Sequence, residues 1–415
     1  MGILWEDAVV IRQAESPGEC NVITVNCPDK TGLGCDLCRT ILLFGLSISR
    51  GDLQTDGKWA YLVFWVMGKP NTRWSLLKKR LLEVCPSYFS TSEIDYYHPD
   101  DQQPKPSDVF LLKFWCSCDR EGLLHDVSEV LWKLELTIKR VKVSTAPDGR
   151  VMDLFFITDT RELLHTEKRQ EETIRYLRDI LGDALISCEI ESVGAEVTAC
   201  SQDSSFLPSS VIEDMFSLEF PQHDYHRSGF LAPNSISVMV DNNLSRSCTL
   251  VQILCKDHKG LIYDIMRTLK DYNIQTSYGR FFANPKGNCE VDLFIKQADG
   301  KKIVDPSKQN ALCSRLRMEL LRPLRVAVAS RGPDTELLVS NPVELSGRGR
   351  PLVFHDITLA LKSLNTGIFS VEIGRHIIRD REWEVYRILI DEGNGFTVPR
   401  NKIDEGVKKA LLGWD

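Results

Sequence analysis

The segment Val22-Ile23-Thr24-Val25-Asn26-Cys27-Pro28-Asp29-Lys30-Thr31-Gly32-Leu33 decides the fold of this chain. Its first six residues are rich in β-branched types and read as a strand. Asp29 to Gly32 reads as a tight turn, because glycine reaches the left-handed backbone region that other residues avoid. From Leu33 onward the apolar positions Leu33, Leu37, Ile41 and Leu42 share one face of a helix that ends at Gly45. The same Asp-x-x-Gly-Leu phrase returns at Asp119-Arg120-Glu121-Gly122-Leu123 and at Asp257-His258-Lys259-Gly260-Leu261, each time between a strand-like run and a helical stripe. A strand, an acidic glycine turn and a helix have been repeated, and the repeat governs the reading of every residue within it.

Each copy then continues alike. In the first, Leu46 begins an extended segment, Asp56-Gly57 makes a hairpin turn and Trp59 to Val66 returns as a buried strand. A second helix spans Arg73 to Val84, and Tyr88 to Tyr97 is expected as the closing strand. The second copy closes with Ala184 to Ile190 and the third with Leu324 to Ala329. The order is βαββαβ, a ferredoxin-like α+β unit.

A βαββαβ unit with Asp-x-x-Gly-Leu between its first strand and first helix resembles an ACT domain, the small-molecule-sensing module of amino-acid-regulated enzymes. Tandem copies along a whole chain resemble the plant ACT domain repeat proteins, themselves similar to the C-terminal sensing region of bacterial uridylyltransferase. The resemblance covers residues 22–105, 109–191 and 249–331 as three clear ACT domains, and 335–415 as a divergent fourth. In the fourth, Leu352 stands at the glycine position, the Asp-x-x-Gly turn is replaced by a Ser346 to Pro351 loop, and no closing strand follows the last helix. Small sheets leave open edges, so the units are expected to pair side by side, first with second and third with fourth. Ala8 to Ile11 is a candidate to cover the open edge of the fourth. Residues 192–246 form a linker rich in Ser and Pro, with one amphipathic patch from Val211 to Phe220.

At 415 residues, 43% apolar and 26% charged, the composition is that of ordinary globular domains, about three by length. A net charge of −7 without a basic face argues against nucleic acid as a partner. No segment is long and apolar enough to span a membrane, and no signal-peptide profile opens the chain, so a cytoplasmic or nuclear location is expected. Among 13 cysteines only Cys35 and Cys38 make a C-x-x-C; a helical stripe buries both, which favours plain thiols over a metal or redox site. No hydrolase, zinc-protease or nucleotide-binding motif is present, so neither catalytic residues, metal nor cofactor is expected.

A free amino acid brings a carboxylate and an ammonium, and a site must satisfy both. Helix N-termini offer free N–H groups to the carboxylate. Gly32, Gly122 and Gly260 permit close approach, and Asp29, Asp119 and Asp257 can accept the ammonium. Together with Leu33, Leu123 and Leu261 these are the expected ligand-binding residues. The alternative is a capped strand-to-helix turn with no ligand. The aspartates one turn later, Asp36, Asp126, Asp264 and Asp356, suit the helix dipole better than a ligand. The resemblance implies a regulatory protein that binds a free amino acid, glutamine being one candidate, and signals to a partner protein, with association of copies through ACT edges a further expectation. A constitutive interaction scaffold with vestigial sites is the competing expectation.

Overall fold

The computed structural model describes residues 7–86, 108–193, 215–216, 236–391 and 398–414, apart from 17, 119–121, 146–148, 160, 162, 285, 333 and 379–380. The expected closing strand Tyr88 to Tyr97, Asp119 and most of the 192–246 linker lie outside the described residues.

The first repeat runs β1 (Val9–Arg12), β2 (Asn21–Pro28), α1 (Leu33–Leu43), β3 (Ser47–Thr55), β4 (Trp59–Met67) and α2 (Trp74–Val84). The second runs β5 (Val109–Cys116), α3 (Leu123–Lys133), β6 (Leu136–Thr145), β7 (Val151–Asp159), α4 (Glu167–Leu181) and β8 (Leu185–Ser192). The third has β9 (Ser237–Asp241), β10 (Thr249–Lys256), α5 (Leu261–Asp271), β11 (Ile274–Ala283), β12 (Asn288–Gln297) and α6 (Pro306–Leu321). The fourth has β13 (Arg325–Arg331), β14 (Asp334–Pro342), α7 (Val353–Ser363), β15 (Gly367–Ile378), β16 (Arg381–Asp391) and α8 (Arg400–Leu412). Strand alternation sends Ile23, Val25 and Cys27 of β2 inward beneath Leu37 and Ile41 of α1, all 1% exposed or less. The four repeats also share one irregularity: the hairpin register slips between Ile48 and Arg50, Ile138 and Arg140, Thr276 and Tyr278, and Ile368 and Ser370. These positions are equivalent, so a β-bulge is part of the repeat.

The chain divides into two compact bodies, and the pairing differs from the expected one. The first body joins the first repeat to the third, and the second body joins the second to the fourth. In the first body one eight-stranded sheet runs β1-β2-β4-β3-β11-β12-β10-β9, with β3 and β11 antiparallel at its centre. Across this seam Phe281 stands opposite Gly51, and Gly279 opposite Leu53. A Cβ on Gly51 would lie 2.1 Å from the Phe281 ring, and one on Gly279 2.8 Å from Leu53, so each glycine makes the room that the opposite side chain fills. In the second body β6 and β15 run side by side, but β6-β7-β5-β8 and β13-β14-β16-β15 remain separate sheets. The equivalent positions there are Val141, Val143, Val371 and Ile373, all buried. All four are branched, so neither strand carries a glycine at this position.

Strand order also corrects the expected ends of the repeats. Among the described residues, only the second closes with a strand after its second helix, β8 pairing with β5. In the first, third and fourth the same sheet position is taken by the strand that precedes the repeat: Val9 pairs with Val25, Val240 with Val251, and Val326 with Val339. Leu324 to Ala329 therefore belongs to the strand that opens the fourth repeat rather than one that closes the third, and Ala8 to Ile11 serves the first repeat rather than the fourth. Of the linker patch, Met215 and Phe216 are buried on the fourth repeat's sheet, where Phe216 meets Trp383 edge-on at 4.9 Å and Arg325 donates to the Met215 carbonyl at 2.6 Å.

Candidate functional site

Each repeat turns from its strand into its first helix through a left-handed residue: Gly32 at φ 77°, Gly122 at 78°, Gly260 at 80° and Leu352 at 67°. The turn expected to be lost in the fourth repeat therefore keeps its backbone conformation, at a steric cost to leucine of about 1–2 kcal/mol. Leu33, Leu123 and Leu261, the residues after the glycines, are buried and serve the core.

At the first turn the room above glycine is filled. A Cβ on Gly32 would lie 2.7–3.0 Å from Cδ, Cε and Cγ of Lys270, which reaches across from the last turn of α5. The Lys270 ammonium donates to Asp36 Oδ1 at 2.9 Å, while Lys30 reaches Asp36 Oδ2 at 3.0 Å. Burial alone would raise the Asp36 carboxyl, but these two cations hold it below its ordinary value. Asp29 is engaged as well: Thr55 donates to its Oδ2 at 2.5 Å, and burial nevertheless raises its pKa.

The second turn repeats this arrangement with other residues. Cδ, Cγ and Cε of Lys362, in the last turn of α7, come within 2.7–2.9 Å of a Cβ built on Gly122, and its ammonium donates to Asp126 Oδ1 at 2.7 Å. Lys270 and Lys362 occupy equivalent positions in their repeats. In the first and second repeats those positions carry Leu42 and Trp132.

The third turn borders a small cleft, half open to solvent, with enclosed room on the order of one water molecule. Cys38, Leu42, Leu46 and Ile48 of the first repeat form one wall; Asp257, His258, Gly260 and Tyr263 of the third form the other. Trp414, grouped with the first body, also lines it and donates its indole N–H to Asp257 Oδ2 at 3.1 Å. Burial pushes the Asp257 carboxyl up to about 6. A half-dry carboxylate beside an apolar wall and a helix N-terminus brings together the two kinds of polar group that a zwitterion needs. Cys38 in this wall is a thiol whose pKa burial pushes up to about 12, as expected for an inert buried cysteine.

The aspartates one turn into the helices take four different partners. Asp36 and Asp126 pair with the two lysines. Asp264 is wholly buried 3.5 Å from Arg267, whose guanidinium also donates to Glu319 at 2.6 Å. Asp356 lies 3.3 Å from His355 Nδ1. In the second body the equivalent residues His125 and His355 meet with ring centroids 4.9 Å apart, and His125 Nδ1 is 3.3 Å from the Thr358 hydroxyl. Burial, with His355 and Lys362 nearby, lowers the His125 pKa. The sequence reading missed Lys270, Lys362 and Trp414. For the lysines a signal existed, since both sit ten residues after the left-handed position in the aligned third and fourth repeats.

The repeats are ACT-like domains. Residues 237–334 match the family model for the ACR9-like, ACT-like domain, residues 11–86 that for the N-terminal part of ACT domain-containing protein ACR10, and residues 335–413 that for the C-terminal part of ACT domain-containing protein ACR9. The chain is 60% identical to ACT domain-containing protein ACR10 and 50% identical to ACT domain-containing protein ACR9 of Arabidopsis thaliana, in each case over 100% of both chains. It therefore belongs to the plant ACR family of ACT domain repeat proteins. It is also 25% identical to the bifunctional uridylyltransferase/uridylyl-removing enzyme of Phenylobacterium zucineum, over 50% of this chain and 19% of that enzyme. Among the described residues no helix is long and apolar enough to cross a membrane.

Proposed function

We infer that this ACR-family chain is a non-catalytic regulator that binds a free amino acid at the Asp257 to Gly260 turn and passes its occupied state to a partner protein. The observation that supports this most is the cavity at the Gly260 helix start, where the raised Asp257 carboxyl faces an apolar wall. The ligand carboxylate takes the positive end of the α5 helix, its ammonium takes Asp257, and its side chain lies against Leu42, Leu46 and Ile48.

Calorimetric titration of the full chain with each of the twenty amino acids tests the reading. Saturable heat with one of them, lost in Asp257→Ala, is the expected result. The scaffold reading draws its support from the first two turns, whose space is already taken by lysine, and it predicts no saturable heat with any amino acid.

A further inference from the structure

We propose that Lys270 and Lys362 are built-in occupants of the Gly32 and Gly122 turns, so that of the three Asp-x-x-Gly turns only the one at Gly260 is left to a free ligand. This rests on the functional reading above for the Gly260 turn, but its first half stands on geometry alone. In both bodies a lysine from the last turn of the facing helix lays its methylene stem over the glycine and sets its ammonium on the aspartate one turn into the helix. An amino-acid ligand at such a turn would need the same space above glycine. A tethered ammonium acts intramolecularly, at an effective concentration of about the millimolar range, and so competes with a free amine that is dilute.

Each pair is also lopsided in the same way. The third and fourth repeats contribute the lysine, and the first and second contribute the glycine and the aspartate. On the reciprocal side the lysine position is Leu42 in the first body and Trp132 in the second, neither of which carries a cation. In the first body that side is the Gly260 turn, and Leu42 forms part of its cavity wall. In the second body it is the Leu352 turn, where a leucine stands in place of glycine. Lysine thus decides which turns are closed, and glycine marks both a closed turn and an open one. Sequence inspection of Asp-x-x-Gly alone cannot separate them; the residue at the position of Lys270 in the paired repeat can.

The test uses Lys270→Ala in the full chain, with n-propylammonium chloride as the probe for the missing stem and charge. The expected result is a lower melting temperature than wild type, restored in a saturable manner by n-propylammonium and not by sodium chloride or sodium propionate at equal ionic strength. Lys270→Met keeps the stem over Gly32, folds, and shows no amine response. If Lys270→Ala does not fold, Lys362→Ala gives the same readout at the Gly122 turn. A lysine-to-alanine variant that folds and ignores n-propylammonium overturns the proposal. So does a wild-type chain that binds an amino acid at more than one site, with Gly32→Val removing one of them. A wild-type chain that binds no amino acid, combined with amine rescue of Lys270→Ala, overturns the Gly260 assignment and leaves the lysine occupancy standing.

Discussion

Gly51 of β3 and Phe281 of β11 stand opposite each other across the seam of the first body, the phenyl ring filling the place where a side chain on Gly51 would be. The relation is repeated by Leu53 and Gly279, so two glycine positions key the first repeat to the third. Gly51→Val is expected to force Phe281 out of its site and destabilise the first body by about 1–3 kcal/mol. Urea unfolding measures the loss. Phe281→Ala in the Gly51→Val background should recover part of it, and no recovery would mean that the seam does not depend on this fit.

The turn glycines Gly260 and Gly122 are expected to respond differently to the same change. Gly260→Val places a branched side chain at φ 80° beside the cavity and should abolish amino-acid binding, at a backbone cost of about 1–2 kcal/mol. Gly122→Val carries the same strain and in addition displaces Lys362 from Asp126, so stability falls further while amino-acid binding is unchanged. Thermal unfolding and calorimetry on both variants separate the two effects. Loss of binding in Gly122→Val would contradict the assignment.

The pH dependence of ligand affinity follows from Asp257. Its pKa rises from 3.8 unfolded to about 6 folded, so between those values the folded chain holds a proton that the unfolded chain has lost. Stability therefore falls as pH rises through that window, and Asp257→Asn removes the decline. Ligand ammonium needs the ionised carboxyl, so affinity should increase as pH passes through about 6. Titrations between pH 5 and 7 would show a flat profile if Asp257 plays no part.

His125 acts with the opposite sign on stability. Its folded pKa lies below the ordinary 6.5 because burial, His355 and Lys362 disfavour the cation, with Glu129 and Asp126 opposing them. Just below pH 6.5 the unfolded state binds more protons, so the second body gains stability as pH rises toward that value. His125→Gln is expected to flatten this part of a stability-against-pH curve, and an unchanged slope would exclude the pair as its cause.

Arg267 is wholly buried and holds both Asp264 and Glu319. Arg267→Met takes the guanidinium from Asp264 and leaves Glu319 with Arg315, and is expected to cost about 3–5 kcal/mol. Arg267→Met with Glu319→Leu should be milder than Arg267→Met alone, because one of the two carboxylates is gone. Denaturant midpoints of the two variants decide the point.

The repeat and its class were legible in the sequence because Asp29-to-Leu33 and its two copies place a strand, a turn and a helix at fixed spacing. Even the altered fourth repeat aligned, since Asp356 and the stripe of Val353, Ile357 and Leu361 kept the helical period. The partner of each repeat was not legible. Neighbours in sequence were assumed to pair, whereas the choice is written in Gly51 and Gly279 against Val141 and Val371, residues that look unremarkable until two edges face each other. The closing strand of the third repeat was misplaced for a related reason: a sheet position beside β10 is filled as well by a strand arriving before the repeat as by one leaving after it. At the candidate site, Asp36 looked like a helix-dipole acid because its partner, Lys270, is 234 residues away.

The interleaving of the repeats bears on how the chain is made. A ribosome releases the first repeat well before the third, and until Ile274 to Ala283 has emerged the β3 edge has no strand to lie against. The second repeat is completed in that interval with its own β6 edge waiting for the fourth. Two unfinished modules thus coexist on the nascent chain, each exposing an edge that could take the other as a wrong partner. The Gly51 and Gly279 positions, with branched valines at the equivalent sites of the second and fourth repeats, favour holding out for the later arrival. Slowing elongation between the second and third repeats should therefore lower the yield of native protein more than an equal delay after the fourth.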